Sequence, residues 1–415
     1  FTNQSILSKT IIMKRYDSYK DSGVKWIGEI PNHWKLMTNK YFTKSQKNKS
    51  EFGDEVLLSV SEYQGVIPRR NIREGEEHLS RSESLVGYLK VRKGELVSNI
   101  MLMWKRGLGV SEYEGIVSPS YSVFSFKKSE PKYFHYLYRT DQYVSEFRRN
   151  STGVIESRLR LYDDSFGSLK SHFPPLSEQQ QIVSFLDTKT SLIDSLIEKT
   201  QRKIELLKEK RTSLINEVVT KGLNPNVEMK DSGVEWIGEI PRDWKSKRFS
   251  YSINIQKGKI PKNLTDEQLV DSLPYLSMGV LRGDEPLEFS NESGVVKVSK
   301  GDIGLLWDGS NSGEVIRINR EGILSSTVSL LSLKDDTLDK EFSFYLLKFY
   351  EKDFRENTIG MGIPHVSGDH VRESKLIIPP LSEQQQIVSF LDTKTSLIDS
   401  LIEKTQRKIE LLKEK

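Results

Sequence analysis

The 415-residue chain contains no cysteine. That excludes disulfides, thiolate-bound zinc, iron–sulfur clusters and thiol catalysis, and makes a reducing cytoplasm the expected location. Long apolar runs are missing too: none approaches the ~18 residues of a membrane span. The first twelve residues, FTNQSILSKTII, have neither a basic n-region nor a small-residue cleavage site, so no signal peptide is expected, and Met13 is a candidate start. Histidine is scarce at six residues, and no HExxH occurs. With 14 Pro and 27 Gly, neither breaker is in excess. A content of 36% hydrophobic and 29% charged residues fits a globular chain carrying some long polar helix.

Charge of one sign is not abundant either. The net charge is +4, a weak basicity that suits nucleic acid without establishing it. Its distribution is uneven. Residues 1–173 carry 28 Lys+Arg against 20 Asp+Glu, and residues 223–378 carry 20 against 25. A nucleic-acid surface in the second stretch must therefore be a local basic patch.

What the chain does have is repetition. The 37 residues PPLSEQQQIVSFLDTKTSLIDSLIEKTQRKIELLKEK at 174–210 recur unchanged at 379–415. KDSGVKWIGEIPNHWK at 20–35 matches KDSGVEWIGEIPRDWK at 230–245 at 13 of 16 positions. A unit of about 200 residues has been duplicated, too long for a solenoid repeat. The expected order is a first module at 13–173, a long helix at 174–222, a second module at 223–378 and a second long helix at 379–415.

The long segment reads as a helix. Pro174-Pro175 ends any preceding element, and Ser177 with Gln180 fits a capping box. Leu186, Thr190, Ile193, Ile197, Thr200, Ile204, Leu207, Arg211, Leu214 and Val218 then recur at steps of four and three, the period of a coiled-coil seam. Gly222, followed by Pro225, is the expected left-handed cap. About 44 residues at ~1.5 Å each give a rod of roughly 65 Å. Its obvious partner is the second copy, whose seam comprises Leu391, Ile398, Ile402, Ile409 and Leu412. Antiparallel pairing of the two gives an approximate two-fold arrangement. The expected fold is α+β: two mixed α/β modules separated by two long antiparallel coiled-coil helices. Within the modules, strands are predicted at 56–60, 96–103, 121–126, 294–298, 303–307, 315–318 and 327–331, with aromatic helices at 132–149 and 340–352.

A search for chemistry finds no convincing centre. Gly258-Lys259 is followed by Ile260, so no phosphate loop forms there. Gly360-Met361-Gly362 reads as a turn. Neither 173–175 nor 378–380 has the polar residue that leads the base-holding motif of amino-methylating enzymes, and Asn224-Pro225-Asn226 lacks the second proline. His365 and His370 read as solvent-facing loop histidines, and Asp163-Asp164 as a weak candidate carboxylate pair for a metal. The pattern that stands out is basic and aromatic residues in loops. Candidate DNA contacts are Arg69, Arg70, Arg73, Lys105, Arg106, Arg158, Arg160 and Tyr162 in the first module. In the second they are Lys257, Lys259, Arg282, Asn311 and His365, with the stretch 307–311 around them. Arginine reads guanine bidentately, asparagine reads adenine, and lysine holds phosphate. Trp26, Trp34, Trp236 and Trp244 are the same in both modules and are read as packing anchors. Residues that read different sequences should differ.

The PPLSEQQQI motif opening a long helix at 174–182 and 379–387, with WIGEIPxxW at 26–34 and 236–244, resembles the specificity subunits of type I restriction–modification systems. The resemblance covers nearly the whole chain from about Met13. It implies two target-recognition domains that each read one half of a bipartite site in double-stranded DNA. It also implies conserved helices that pair through Leu186, Ile193, Ile197, Ile204 and Leu207 with the seam of the second copy and dock two methylation subunits. Restriction subunits would join through the assembled complex. The chain itself would be non-catalytic and hold no metal, with S-adenosylmethionine, ATP and Mg²⁺ in the partner subunits of an adenine-specific methyltransferase and endonuclease. Two rivals stand beside it: a coiled-coil scaffold without DNA readout, and a cryptic metal-dependent nuclease around Asp163-Asp164.

Overall fold

The computed structural model describes residues 16–69, 85–360 and 362–414. The chain divides into two compact units, Phe1–Leu192 and Ile193–Lys415. In the first unit the WIGEIP segment forms a hairpin, Tyr19–Asp21 with Glu29–Pro31. The strand Lys35–Thr38 follows and pairs antiparallel with Lys170–Phe173, so the module's beginning and end are tied together. After the four-residue helix α1 (Asn39–Phe42) comes a four-stranded antiparallel sheet in the order Thr43–Gln46, Tyr121–Phe126, Leu96–Asn99, Leu108–Val110. Helices α2 (Pro131–Tyr138), α3 (Asp141–Arg149) and α4 (Asp163–Ser168) complete the module, and α5 (Leu176–Lys221) leaves it.

The second unit repeats this plan. A hairpin pairs Met229–Asp231 with Glu239–Pro241, and Lys245–Arg248 pairs with Lys375–Ile378. Helix α6 (Phe249–Ser252) precedes a sheet in the same order: Ile253–Lys257, Val328–Leu333, Ile303–Leu306, Val315–Arg317. Even the register agrees, since Thr43 faces Phe126 and Ile253 faces Leu333. A second sheet, joined by one parallel pair between Tyr275-Leu276 and Ile323-Leu324, carries the helix α7 (Met278–Arg282). Helices α8 (Lys340–Glu356), α9 (Gly368–Glu373) and α10 (Leu381–Lys413) follow.

Each core is built on an aromatic helix face. In the first unit Phe134, Tyr138, Tyr143 and Phe147 pack with Phe42, Phe124 and Phe166. In the second, Phe342, Leu346, Tyr350 and Phe354 pack with Trp244 and Phe249. The same core takes in Ile215, Val218 and Val219 of α5 and Ile387 and Leu391 of α10. Burial of this apolar surface is the main favourable term holding the long helices to the module. Arg211 Nε donates to Asp399 at 2.9 Å, while Gly222 lies beside Glu383, so α5 and α10 run in opposite senses within this unit.

The α10 seam follows the predicted period. Leu391, Ile398, Ile409 and Leu412 are buried with Thr395 and Thr405, and Ile402 is half-buried. On α5, Ile204 is buried, and Leu186, Ile193, Ile197 and Leu207 are half-buried. Gly222 ends α5 at φ +71, a conformation that a Cβ would strain.

Three expectations need correction. The capping box at Ser177 does not form, because α5 already begins at Leu176 and the carbonyl of Pro175 accepts from the amides of Glu178 and Gln179. In the second copy the cap is Pro380, with no side-chain capping bond. The aromatic helix predicted over 132–149 is two helices, broken at Arg139-Thr140, where Thr140 takes an extended conformation at the N-cap of the second helix, while the Arg139 guanidinium donates to the carbonyls of Arg106, Leu108 and Glu62. His370 is not in a loop. It sits on α9 and pairs through Nε2 with Asp353 of α8 at 2.7 Å.

Candidate nucleic-acid interface

One edge of each module gathers three segments that are distant in sequence. The first is the end of the strand after α1 or α6, with the residues that follow it. The second is the turn leaving the strand Leu96–Asn99 or Ile303–Leu306. The third is the loop before α4 or α9. In the first unit the amide of Leu161 donates to the carbonyl of Ile100 at 2.9 Å, joining the second and third segments. In the second unit the amide of Val366 makes the same bond to Trp307 at 2.9 Å, and Gly309 donates to Pro364 at 3.0 Å.

Most of the described candidate residues lie on this edge. In the first module Lys105 and Arg106 lie in the turn. Trp104 beneath them is buried, with its indole N–H on the carbonyl of Met101 at 2.9 Å and the Lys105 ammonium 4.8 Å from its ring centre. Such a cation–π contact holds the charge over the ring while leaving it solvated. Arg106 adopts φ +61 and is tied to Asp141 and to the carbonyl of Arg139, so its guanidinium is already engaged. Arg160 is fixed by a two-way backbone bridge with Thr152, and its side chain reaches the carbonyl of Arg158 and the sulfur of Met101. Arg158 and Tyr162 are exposed. Arg69, also exposed, follows the strand Gly65–Pro68, and its amide donates to Leu57. Arg70 and Arg73 lie outside the described residues.

In the second module Asp308 is the hub. Its carboxylate accepts from Lys257 Nζ at 2.8 Å and binds His365 Nδ1 at 2.6 Å. Burial alone would raise this acid, but Lys257 and His365 outweigh it and leave the carboxyl below its usual range. Asn311 sits half-buried in the same turn, and Lys259 is exposed with its amide on the carbonyl of Leu324. Arg282, at the end of α7, is paired with Glu314 at 2.7 Å.

The Asp163 carboxylate is taken up by hydrogen bonds within the module. It binds Lys47 at 2.8 Å, Ser45 at 2.9 Å and Ser122, and no group of three or more His, Asp or Glu that could hold a metal occurs among the described residues. Burial would raise the Asp163 carboxyl, yet the bonds from Lys47, Ser122 and Ser45 hold it below the ordinary range. Lys47 itself was not among the sequence candidates. The signal was present: Gln46-Lys47-Asn48-Lys49 and Gln256-Lys257-Gly258-Lys259 stand at the same distance from Trp26 and Trp236.

The repeated motifs lie away from this edge and meet one another. Trp34 Nε1 donates to Glu178 Oε2 at 3.1 Å, joining the WIGEIP segment to the first turn of α5. Trp244 Nε1 and Glu383 repeat the bond at 3.0 Å. Gln179 and Gln384 are fully buried, each donating to the carbonyl of the first proline of its PP pair and accepting from the amide that precedes the aromatic helix, Glu130 or Asp339. Trp26 packs on Tyr143, and Trp236 on Phe349 and Tyr350, although Trp236 keeps 46% of its surface exposed. Among the described residues no helix is long and apolar enough to cross a membrane.

Comparison with known proteins accords with this geometry. The family model described as type I restriction modification DNA specificity domain matches twice, over residues 36–206 and 241–411. The type I restriction enzyme MjaVIII specificity subunit of Methanocaldococcus jannaschii is 39% identical over 42% of this chain, and the match spans 40% of that protein's own length. The putative MjaX specificity subunit of the same organism is 23% identical over 96% of this chain and 95% of its own. Among solved structures, a chain from a study of complex assembly in a type I R-M system superposes with a TM-score of 0.67 at 16% identity, covering 93% of this chain and 96% of that one.

Proposed function

We propose, for a chain that belongs to the family of type I restriction–modification DNA specificity proteins, that each module reads one half of a bipartite site in double-stranded DNA. One observation carries the reading. The two modules share sheet order and strand register, yet the loops on the corresponding edge differ in sequence and in internal bonding. A shared frame with unlike loops is what two readers of unlike half-sites require. Phosphate contacts from lysines would set position, and base-edge contacts from Arg158, Asn311 and His365 would set sequence.

The identical helices have a different task in this reading. Two faces of the same sequence suit two copies of one partner, and we assign them to the docking of two methylation subunits, with restriction subunits joining the assembled complex. S-adenosylmethionine, ATP and Mg²⁺ chemistry would then belong to those partners, and this chain would contribute recognition alone.

The test is a module exchange in the complex reconstituted with its methylation partner. Replacing residues 36–173 by the corresponding stretch of another specificity subunit should change one half of the methylated site and leave the other intact. A change in both halves, or in neither, would refute the modular assignment.

A further inference from the structure

Resting on the DNA reading above, we infer that Lys47 and Lys257 are equivalent phosphate contacts, which position both modules on the duplex and carry no sequence information. The two lysines occupy one place in the fold. Each stands 21 residues beyond the first tryptophan of its WIGEIP motif; Lys257 ends the strand that follows the four-residue helix, and Lys47 is the residue just after that strand. Lys257 faces Ser329 across the sheet, and the register of the first unit, extended by one residue, sets Lys47 opposite Ser122.

Both ammonium groups are held by an aspartate at 2.8 Å, but the aspartates are not equivalent. Asp163 comes from the start of α4, and Asp308 comes from the turn after Ile303–Leu306. Where the first module has Asp163, the second has Gly368, and the ring of Trp307 lies against it. Ser122 helps to hold Asp163, whereas the buried hydroxyl of Ser329 has no hydrogen-bond partner. A structural tie is defined by both of its ends, and here one end has moved while the cation has stayed.

Packing does not explain a lysine in both places. The Lys47 side chain is 67% exposed and that of Lys257 is 49% exposed, whereas the aspartates keep only 26% and 22%. An ammonium has three donors, and the aspartate takes one from each lysine. The aspartate fixes the direction of the long side chain in advance, which lowers the entropy lost on binding. In the second module His365 binds the other oxygen of the same aspartate at 2.6 Å, and in the first the exposed Tyr162 directly precedes Asp163 in the chain. What is common to two readers of different sequences should touch what is common to all DNA, and that is the phosphate backbone.

The experiment uses the full chain in complex with its methylation partner, on duplexes carrying the mapped site and on duplexes with single changes in either half-site. Lys47→Gln and Lys257→Gln should each weaken binding by the same several-fold factor on every duplex. Each should also reduce the slope of log K against log[salt] by about 0.9, the loss of one phosphate contact, while Lys→Arg retains the slope. Unchanged slopes in both glutamine variants of a complex that still discriminates among duplexes would overturn this inference alone. A changed order of preference among duplexes would overturn it too, by making the lysines base readers. If the unmutated complex shows no preference while the slopes still fall, the phosphate contacts stand and the half-site reading fails.

Discussion

The indole N–H of Trp244 donates to Oε2 of Glu383, 139 residues further along the chain, and Trp34 makes the same bond to Glu178. These bonds explain why two repeated motifs accompany each other. The WIGEIP segment starts a module, the PPLSEQ segment ends it, and the tryptophan–glutamate pair closes the module onto its helix. Trp244→Phe removes the donor and leaves a half-buried carboxylate oxygen without it, at a cost of about 1–3 kcal/mol. Trp244→Ala should cost about 3–5 kcal/mol through the cavity it leaves. Urea unfolding of the full chain measures both, and a Phe variant of unchanged midpoint would count against the pair.

Gln384 should matter more than its polar character suggests. Its buried amide donates to the carbonyls of Pro379 and Thr337 and accepts from the amide of Asp339, whose own carboxylate caps α8. Gln384→Leu strands three backbone groups, and an unpaired buried group costs about 1–3 kcal/mol. The expected result is a loss at least as large as that of Trp244→Phe, with faster hydrogen exchange at the start of α8.

His135 supplies a pH dependence. Burial first, then the charges of Arg139 and Lys132, push its imidazolium down to about 4, and Nδ1 accepts from the amide of Val110 at 3.1 Å. The native state thus holds it neutral while the unfolded chain protonates near 6.5. Between those values the unfolded state binds more protons, so stability falls as pH drops through this window, by about 3 kcal/mol in all. It does not fall further below the window on this account. His135→Asn should remove that component, read as the difference between the two proteins' unfolding free energies at pH 7 and pH 4.5.

The helix seam allows a contrast within α10. Leu391 is fully buried and Leu401 is 38% exposed. Leu391→Ala should cost about 2–5 kcal/mol and Leu401→Ala far less. Arg211→Ala, which breaks the solvent-exposed pair with Asp399, should cost no more than about 1 kcal/mol. Equal effects of the two leucine variants would refute the seam.

The seam was readable from spacing alone because a helix places residues seven apart on one face wherever it lies. The strand Tyr121–Phe126 was readable for a similar reason, since its β-forming residues are bounded by turn formers. The anchoring of Arg139 was not readable, because the carbonyls that its guanidinium reaches lie 31, 33 and 77 residues away. Lys47 stayed hidden for the same cause: its significance appears only when Asp163, 116 residues distant, is seen beside it.

By itself the sequence determined the duplication, the paired motifs, the helical period and the left-handed stop at Gly222. All of these are set by local backbone geometry or by comparing the chain with itself. Only the tertiary structure decided which loops share an edge, which arginines pair with Asp141 or Glu314, and which lysine is kept while its acid is exchanged. The reason is physical. Periodicity is a property of neighbours along the chain, whereas the charge left for a ligand depends on contacts made across the fold.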